Sequence, residues 1–353
     1  MSKVAILLSG GVDSACAAYI LKKRGHDLAA VHLKMHTCPR KEEINPSSCG
    51  GLQQERDARK TAETLAIPFY LFNLEKEFKR TVLGNFFAEY AGGRTPNPCI
   101  VCNGYVRFPI VWERLKKTGF NFMATGHYAR ILQNEKGYHL YRGTDKARDQ
   151  SYFLYRLPAH LLPRVLFPLG ELTKERTREI ARKQSLPVAE KKSSQDFCFL
   201  QEDYRDYLKD QIEARPGEIR DSLGRKIGTH NGIHNFTVGQ RKGLGSFSKP
   251  VYVIAISAAD NSVVIGSREE ASKSEIQIDR MILSEPEKKG FKAAAKIRYS
   301  HRGEECSVAI DGLTARVTFS NPVLSPTPGQ SVVFYDGEKV LGGGIITDDK
   351  GKR

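Results

Sequence analysis

Ser9-Gly10-Gly11-Val12-Asp13-Ser14 follows the apolar run Val4 to Leu8 and opens a helix-like run, Cys16 to Lys23. That order is strand, glycine turn, helix. Two adjacent glycines let the backbone adopt positive φ and bring its N–H groups close to an anion at the positive end of the helix dipole. The loop is therefore shaped for phosphate, and Ser9 and Ser14 add hydroxyl donors. Asp13 would repel a bare phosphate and makes sense if it holds a Mg2+ riding on a nucleotide. No lysine follows the glycines in the GxxxxGK[ST] manner, so the β,γ-phosphate cradle of ordinary kinases and NTPases is not expected. A bare glycine turn after a strand is the competing reading.

Working outward, short apolar runs alternate with amphipathic ones up to about residue 130. The apolar runs are Val4 to Leu8, Ala29 to Leu33, Phe69 to Leu74 and Phe122 to Thr125. Between them lie Cys16 to Lys23, Gln54 to Leu65, Glu77 to Tyr90 and Val106 to Lys117. Such alternation predicts a doubly wound parallel sheet of the α/β class. Ligands of these sheets bind beyond the carboxyl ends of the strands, where Ser9 to Ser14 and Gly126-His127 would both emerge. Residues 150 to 212 read mostly helical, with Thr173 capping a helix that runs to Gln184, followed by Tyr204 to Ile212. From Pro216 onward glycine turns separate short alternating segments, with Asp260-Asn261 as a hairpin turn. The expected division is a catalytic domain over 1–215, a small mixed domain over 216–275 and a C-terminal β-barrel over 276–353.

The chain has 353 residues, of which 40% are apolar and 27% charged, the composition of an ordinary soluble protein with a real core. No apolar run approaches the roughly 20 residues of a membrane span, and the N-terminus enters a strand at once, so a cytoplasmic protein is expected. Seven cysteines scattered without a secretory signal read as reduced thiols. The net charge of +15, from 55 Lys+Arg against 40 Asp+Glu, favours a polyanionic partner such as nucleic acid, though surplus lysine also serves solubility.

Arg94-Thr-Pro-Asn-Pro-Cys99-Ile-Val-Cys102-Asn103 is the second informative segment. Pro96 and Pro98 favour a stiff, extended approach, placing Cys99 and Cys102 at the start of a helical stretch, where a thiol pKa falls. Nucleophilic sulfur chemistry, metal or iron–sulfur ligation, and two structural cysteines all remain open for this CxxC. Cys198, in Ser193-Ser194-Gln195-Asp196-Phe197-Cys198-Phe199, ends a loop that begins with Lys191-Lys192, and nearby cations favour thiolate. Were Cys198 to approach Cys102, the pair would relay sulfur, one carrying a persulfide and the other cleaving the S–S bond. Cys38 and Cys49, with His32 and His36, form a looser grouping whose spacing matches no standard zinc knuckle; an exposed loop is the better reading.

SGGVDS resembles the PP-loop of the N-type ATP pyrophosphatases, which cleave ATP between the α and β phosphates. Taken with RTPNPCIVCN, ATGHYAR (124–130), DQSYFL (149–154), SSQDFCF, GQRKGLG (239–245), KIRY (296–299) and TPGQSVVFYDGEKVLGGGII, it is similar to the tRNA-specific 2-thiouridylases. The matches span residues 4 to 346, nearly the whole chain. The resemblance implies a PP-loop (adenine nucleotide alpha hydrolase-like) domain and ATP-dependent 2-thiolation of the wobble uridine of tRNA. It assigns Cys198 as persulfide carrier and Cys102 as catalytic partner, through a transient Cys102–Cys198 disulfide. It implies an ATP site at Leu7, Leu8, Ser9, Gly10, Gly11, Val12, Asp13 and Ser14, with Leu33 and Gly126 flanking adenine and ribose, and ATP with Mg2+. Asn97, Pro98 and Cys99 would face the flipped-out base. His127, Arg148, Asp149, Gln150, Arg298, Tyr299 and Gln330 would contact tRNA, and the implied sulfur donor is a cysteine desulfurase or sulfur-relay protein.

One departure stands out: Cys99 occupies a position that is aspartate in many relatives. It acts either as a weaker acid-base group or, with Cys102 and Cys198, as a ligand of a 4Fe-4S cluster. Two further readings compete with thiolation. A PP-loop amidotransferase or ligase acting on a small molecule leaves the CxxC, Cys198 and the basic β module without purpose; a non-catalytic RNA-binding protein would only sense nucleotide.

Overall fold

The computed structural model describes residues 1–36, 51–191, 198–200, 203–285 and 289–348. Cys38 and Cys49 lie outside them, as do residues 193–197 of the segment leading to Cys198. Two compact units emerge. The first comprises Met1–Val82, Cys99–Gln201 and Glu338–Val340; the second comprises Leu83–Pro98, Glu202–Gly337 and Leu341–Arg353.

In the first unit β1 (Lys3–Leu7), α1 (Val12–Lys23), β2 (Asp27–Lys34), α2 (Leu52–Thr64) and β3 (Phe69–Asn73) follow in strict alternation. β4 (Phe122–Ala124) comes next, then a hairpin of β5 (Ala129–Asn134) and β6 (Gly137–Arg142), then the two-residue β7 (Val165–Leu166). The sheet order is β3-β2-β1-β4-β7, with every pairing parallel. Val4, Ala5 and Ile6 are wholly buried, as expected of a central strand covered on both faces. Because β2 and β4 flank β1 on opposite sides, the strand order reverses there, and a crevice opens beyond the carboxyl ends of β1 and β4. The expected doubly wound sheet is thus present. The sequence reading missed β7, too short to show a pattern, and the β5–β6 hairpin, whose strands carry His139, Arg130 and Arg142 among their apolar residues.

In the second unit β8 (Gly217–Arg220), β9 (Lys226–His230), β10 (Tyr252–Ser257) and β11 (Ser262–Gly266) form a sheet of order β10-β11-β8-β9. The β10–β11 hairpin turns at Asp260-Asn261, where Asn261 takes φ +46°, as its short polar side chain permits. The strands β12 (Ser272–Leu283), β13 (Gly290–Lys296), β14 (Glu304–Asp311), β15 (Thr314–Leu324), β16 (Ser331–Asp336) and β17 (Lys339–Ile346) follow. They run in the order β12-β15-β14-β13-β16-β17, and β12 pairs back onto β17 to close a barrel. Burial alternates residue by residue along β14 and β15, placing Cys306, Val308, Val317 and Phe319 inside. β12 and β17 escaped the sequence reading: the first carries bulges, and the second reads as the glycine run Gly342 to Gly344.

Among the described residues no helix is long and apolar enough to cross a membrane.

Candidate active site

The strand–turn–helix at Ser9–Ser14 is built as the sequence indicates, with one correction. Only Gly10 takes positive φ, +73°; Gly11 is extended at φ −111° and serves as the N-terminal cap of α1. Gly10 is required twice over, because a Cβ there would lie 2.5 Å from the carbonyl oxygen of Gln54 in α2. The Ser14 hydroxyl donates to the Gly11 carbonyl oxygen (3.0 Å) and accepts from the Ser9 N–H (3.2 Å). Its proton is therefore used to brace the loop, and the hydroxyl of Ser9 stands 3.2 Å away. Gly126, just past β4, presses on the start of α1: a Cβ would come within 2.7 Å of the Asp13 carbonyl carbon and the Ser14 nitrogen. The loops after β1 and β4 thus meet backbone to backbone.

Asp13 is held from the helix Lys174–Lys183. Its Oδ1 accepts from the buried ammonium of Lys174 and from the Tyr128 hydroxyl at 2.9 Å. Burial first, and then the Asp13 charge, raise the Tyr128 pKa, so the phenol keeps the proton it donates. The Asp13 carboxylate and the Ser9 and Ser14 hydroxyls are hard oxygen donors within the loop, of the chemistry that fits Mg2+.

Leu7 to Ser14, Leu33 and Gly126 line a single cavity of about 300 Å³ within the first unit, and Cys198 lines the same cavity. His127 and Gln150 line it too. His127 Nδ1 lies 2.7 Å from Thr125 Oγ1, and its ring packs among Phe108 and Phe167. Burial, and secondarily Arg107, push its pKa down to about 3, so it is a neutral imidazole at physiological pH.

Cys102 begins the π-helical turn Cys102–Arg107, which continues the short helix Pro98–Val101. Proline has thus placed the CxxC at the start of a helical run, as read from the sequence. The Cys102 turn is locked by Asn103, whose amide donates to the Phe153 carbonyl (3.1 Å) and whose Oδ1 accepts from Arg107 (3.1 Å). Cys102 is buried, whereas Cys99 and Cys198 are half-buried. Burial drives the thiols of Cys16 and Cys306 up to about 12, which keeps both protonated and unreactive. Among the described residues no three His, Cys, Asp or Glu side chains are grouped to hold a metal ion, so Cys99, Cys102 and Cys198 are not gathered as a cluster-ligand set.

In the second unit the Arg94–Pro98 segment is pinned against the end of the barrel. Gln330 Nε2 donates to the carbonyls of Thr95 (2.9 Å) and Pro96 (3.2 Å), and Thr95 N–H donates to the Pro328 carbonyl (2.8 Å). Gln330 therefore supports the stretch that contains Asn97. Arg298 donates to the Leu324 carbonyl (3.0 Å), and Tyr299 is exposed beside it. In the first unit Arg148 is exposed, while the Gln150 Oε1 accepts from Tyr128 N–H at 2.9 Å. Asp149, which the resemblance assigns to tRNA contact, lies between them in sequence. It is buried, and both of its oxygens accept from Gly143 and Ser151.

Comparison with known proteins gives this arrangement a context. Residues 2–202 match the model of the tRNA methyl transferase HUP domain, 205–267 that of the tRNA methyl transferase PRC-barrel domain, and 274–346 that of the aminomethyltransferase β-barrel domain. A protein of Endomicrobium trichonymphae called tRNA-specific 2-thiouridylase MnmA is 45% identical, over 98% of both chains. The chain belongs to the tRNA-specific 2-thiouridylase family. Two other 2-thiouridylases, from Caldanaerobacter subterraneus and Geobacter metallireducens, are 42% and 41% identical, each over 98% of this chain and covered to 98% and 96% of their own.

Several residues of this candidate site were not assigned from the sequence. Gln54, Arg107 and Lys191 line the cavity, and Lys174 and Tyr128 hold Asp13. They come from elements far apart in the chain, and no spacing connects them. His32, read as part of a loose Cys/His grouping, instead lines the cavity with its Nδ1 at 2.8 Å from the Leu8 carbonyl oxygen.

Proposed function

We propose that this chain thiolates C2 of the wobble uridine of tRNA in two steps, with ATP and a cysteine persulfide as co-substrates. The observation that carries the reading is that Cys198 lines the same cavity as the phosphate-shaped loop Leu7–Ser14. The first step answers a chemical difficulty: the C2 oxygen is a poor leaving group. Its attack on the α-phosphorus of ATP releases pyrophosphate and leaves an AMP ester that sulfur can displace. Leu33 and Gly126 flank the nucleoside, the backbone N–H groups at Gly10 and Gly11 face its phosphates, and Asp13 is the residue that would hold Mg2+.

In the second step the terminal sulfur of a Cys198 persulfide attacks C2 and AMP departs. The Cys102 thiolate then attacks the Cys198 sulfur, and the S–S bond breaks with its electron pair passing to the sulfur now on uridine. A Cys102–Cys198 disulfide results, which an external thiol reduces before the next turnover. Two such thiols, or one dithiol, supply the two electrons and leave as a disulfide, which balances the cycle. The persulfide is loaded by a donor of the cysteine desulfurase or sulfur-relay type, and the work belongs in the cytoplasm, where tRNA is.

Asn97, Pro98 and Cys99 are assigned to the extruded base, with the half-buried Cys99 thiol as a weak acid-base group there. Arg148, Arg298 and Tyr299 suit phosphate contact and base stacking, and neutral His127 and Gln150 suit hydrogen bonding to the substrate rather than charge pairing. Cys198→Ser is the test: thiolated tRNA is lost while tRNA affinity is retained. Unchanged thiolation by the variant would refute the assignment.

A further inference from the structure

We infer that Lys191 is the lysine of the nucleotide site, contacting the β- and γ-phosphates of ATP and stabilising the pyrophosphate as it leaves. The inference rests on the proposed nucleotide reading of the cavity and deepens it. Ser9–Ser14 carries no lysine of its own, and a triphosphate bears more negative charge than backbone dipoles and one Mg2+ at Asp13 would balance. The fold supplies a cation from 181 residues away along the chain. Lys191 lines the cavity, and its ammonium donates to the Gly10 carbonyl oxygen at 3.0 Å and to Asp57 Oδ2 at 2.6 Å.

An ammonium has three donors. Gly10 and Asp57 take two, and among the described residues no hydrogen-bond partner takes the third. Asp57 belongs to α2, the helix whose Gln54 backs Gly10, so Lys191 is fastened to the loop from both sides. Its side chain is 23% exposed, which leaves the head reachable from solvent while the stem is packed.

The chemistry needs a cation at this place. As the bond from uridine O2 to the α-phosphorus forms, the bond from that phosphorus to the bridging oxygen breaks, and its electron pair stays with pyrophosphate. Negative charge therefore grows on the β-phosphate, and a fixed cation facing it is worth more in the transition state than in the ground state. A lysine serves here as a point charge. Arg107, which also lines the cavity, donates to Asn103, the residue that follows Cys102.

The test is titration of the full chain with an ATP analogue whose α,β-bridging oxygen is replaced by a methylene group and, separately, with AMP. Lys191→Ala is expected to lower affinity for the analogue by about 10- to 100-fold, the loss of one charge-assisted hydrogen bond, and to leave AMP within about two-fold. Lys191→Arg is expected to recover most of the loss. Asp57→Asn, which keeps the ammonium and removes only its anchor, is expected to preserve the preference for the analogue over AMP. Equal losses of AMP and analogue in Lys191→Ala would make the lysine a structural brace and overturn the inference, as would unchanged affinity for both. Wild-type protein that binds neither ligand would instead overturn the nucleotide reading beneath it, and AMP binding by each variant doubles as the check that it is folded.

Discussion

Alanine at Gly10 and alanine at Gly11 are the same change on adjacent residues of one motif, and the structure expects opposite results. At Gly10 the backbone sits at φ +73°, where an L side chain costs about 1–2 kcal/mol. Its new Cβ would lie 2.5 Å from the Gln54 carbonyl oxygen and 2.8 Å from the Gln54 Cα, both backbone atoms that yield only if α2 moves. Such overpacking costs about 1–3 kcal/mol, so the two effects together come to about 2–5 kcal/mol. For a unit of this size each kcal/mol lowers Tm by about 2–4 °C, giving a fall of about 4–20 °C. At Gly11 φ is −111° and the nearest neighbour of a Cβ is the Ser9 hydroxyl at 3.5 Å, an ordinary contact. Gly11→Ala should remain within about 0.5 kcal/mol of wild type. Thermal unfolding followed by near-UV circular dichroism, with titration of an ATP analogue alongside, reads both. Equal melting of the two variants would refute the assignment of the turn to Gly10 alone.

Two other outcomes follow from charge. His127 has its pKa pushed down to about 3, whereas the unfolded imidazole titrates near 6.5, so between those values the unfolded chain binds more protons than the folded one. Its contribution to stability is complete above pH 6.5 and is lost as pH falls, by at most ~1.4 kcal/mol per pH unit. Urea midpoints measured from neutral to mildly acidic pH should therefore drop less steeply in His127→Gln than in wild type, and parallel slopes would contradict the burial argument. With a net charge of +15, tRNA affinity should fall by orders of magnitude between about 50 and 200 mM salt; a flat response would mean that phosphate contacts do not drive binding.

What could be read from the sequence was local, and what could not was tertiary. Ser9–Ser14 announces a phosphate turn because strand, glycine and helix are contiguous, yet nothing in Gly10-Gly11 says which glycine bears the positive φ; Gln54, brought up by α2, decides it. The Lys191 charge was visible as a neighbour of Cys198, but its grip on Gly10 and Asp57 depends on a fold that joins residues 134 and 181 positions apart. Asp149 carries a packing role that its neighbours in Arg148-Asp149-Gln150 do not signal: its carboxylate closes the turn after β6 by accepting two backbone N–H groups and the Ser151 hydroxyl. The barrel's alternating strands β14 and β15 were legible because one face is buried. β17 was not, since Gly342 to Gly344 offer no side chains to alternate; Gly342, at φ +138°, packs against the Ile282 carbonyl at the closing seam, where a Cβ would lie 2.1 Å away.

On the proposed mechanism, one cavity couples an adenylating loop to the cysteine that carries the persulfide. Purified protein should be incubated with ATP, a persulfide donor and a tRNA lacking the modification, and the digested nucleosides weighed by mass spectrometry while AMP and pyrophosphate are counted. The account predicts 2-thiouridine at the wobble position with one AMP and one pyrophosphate released for each. Thiolation without ATP cleavage, or ATP cleaved to ADP and phosphate, would contradict it.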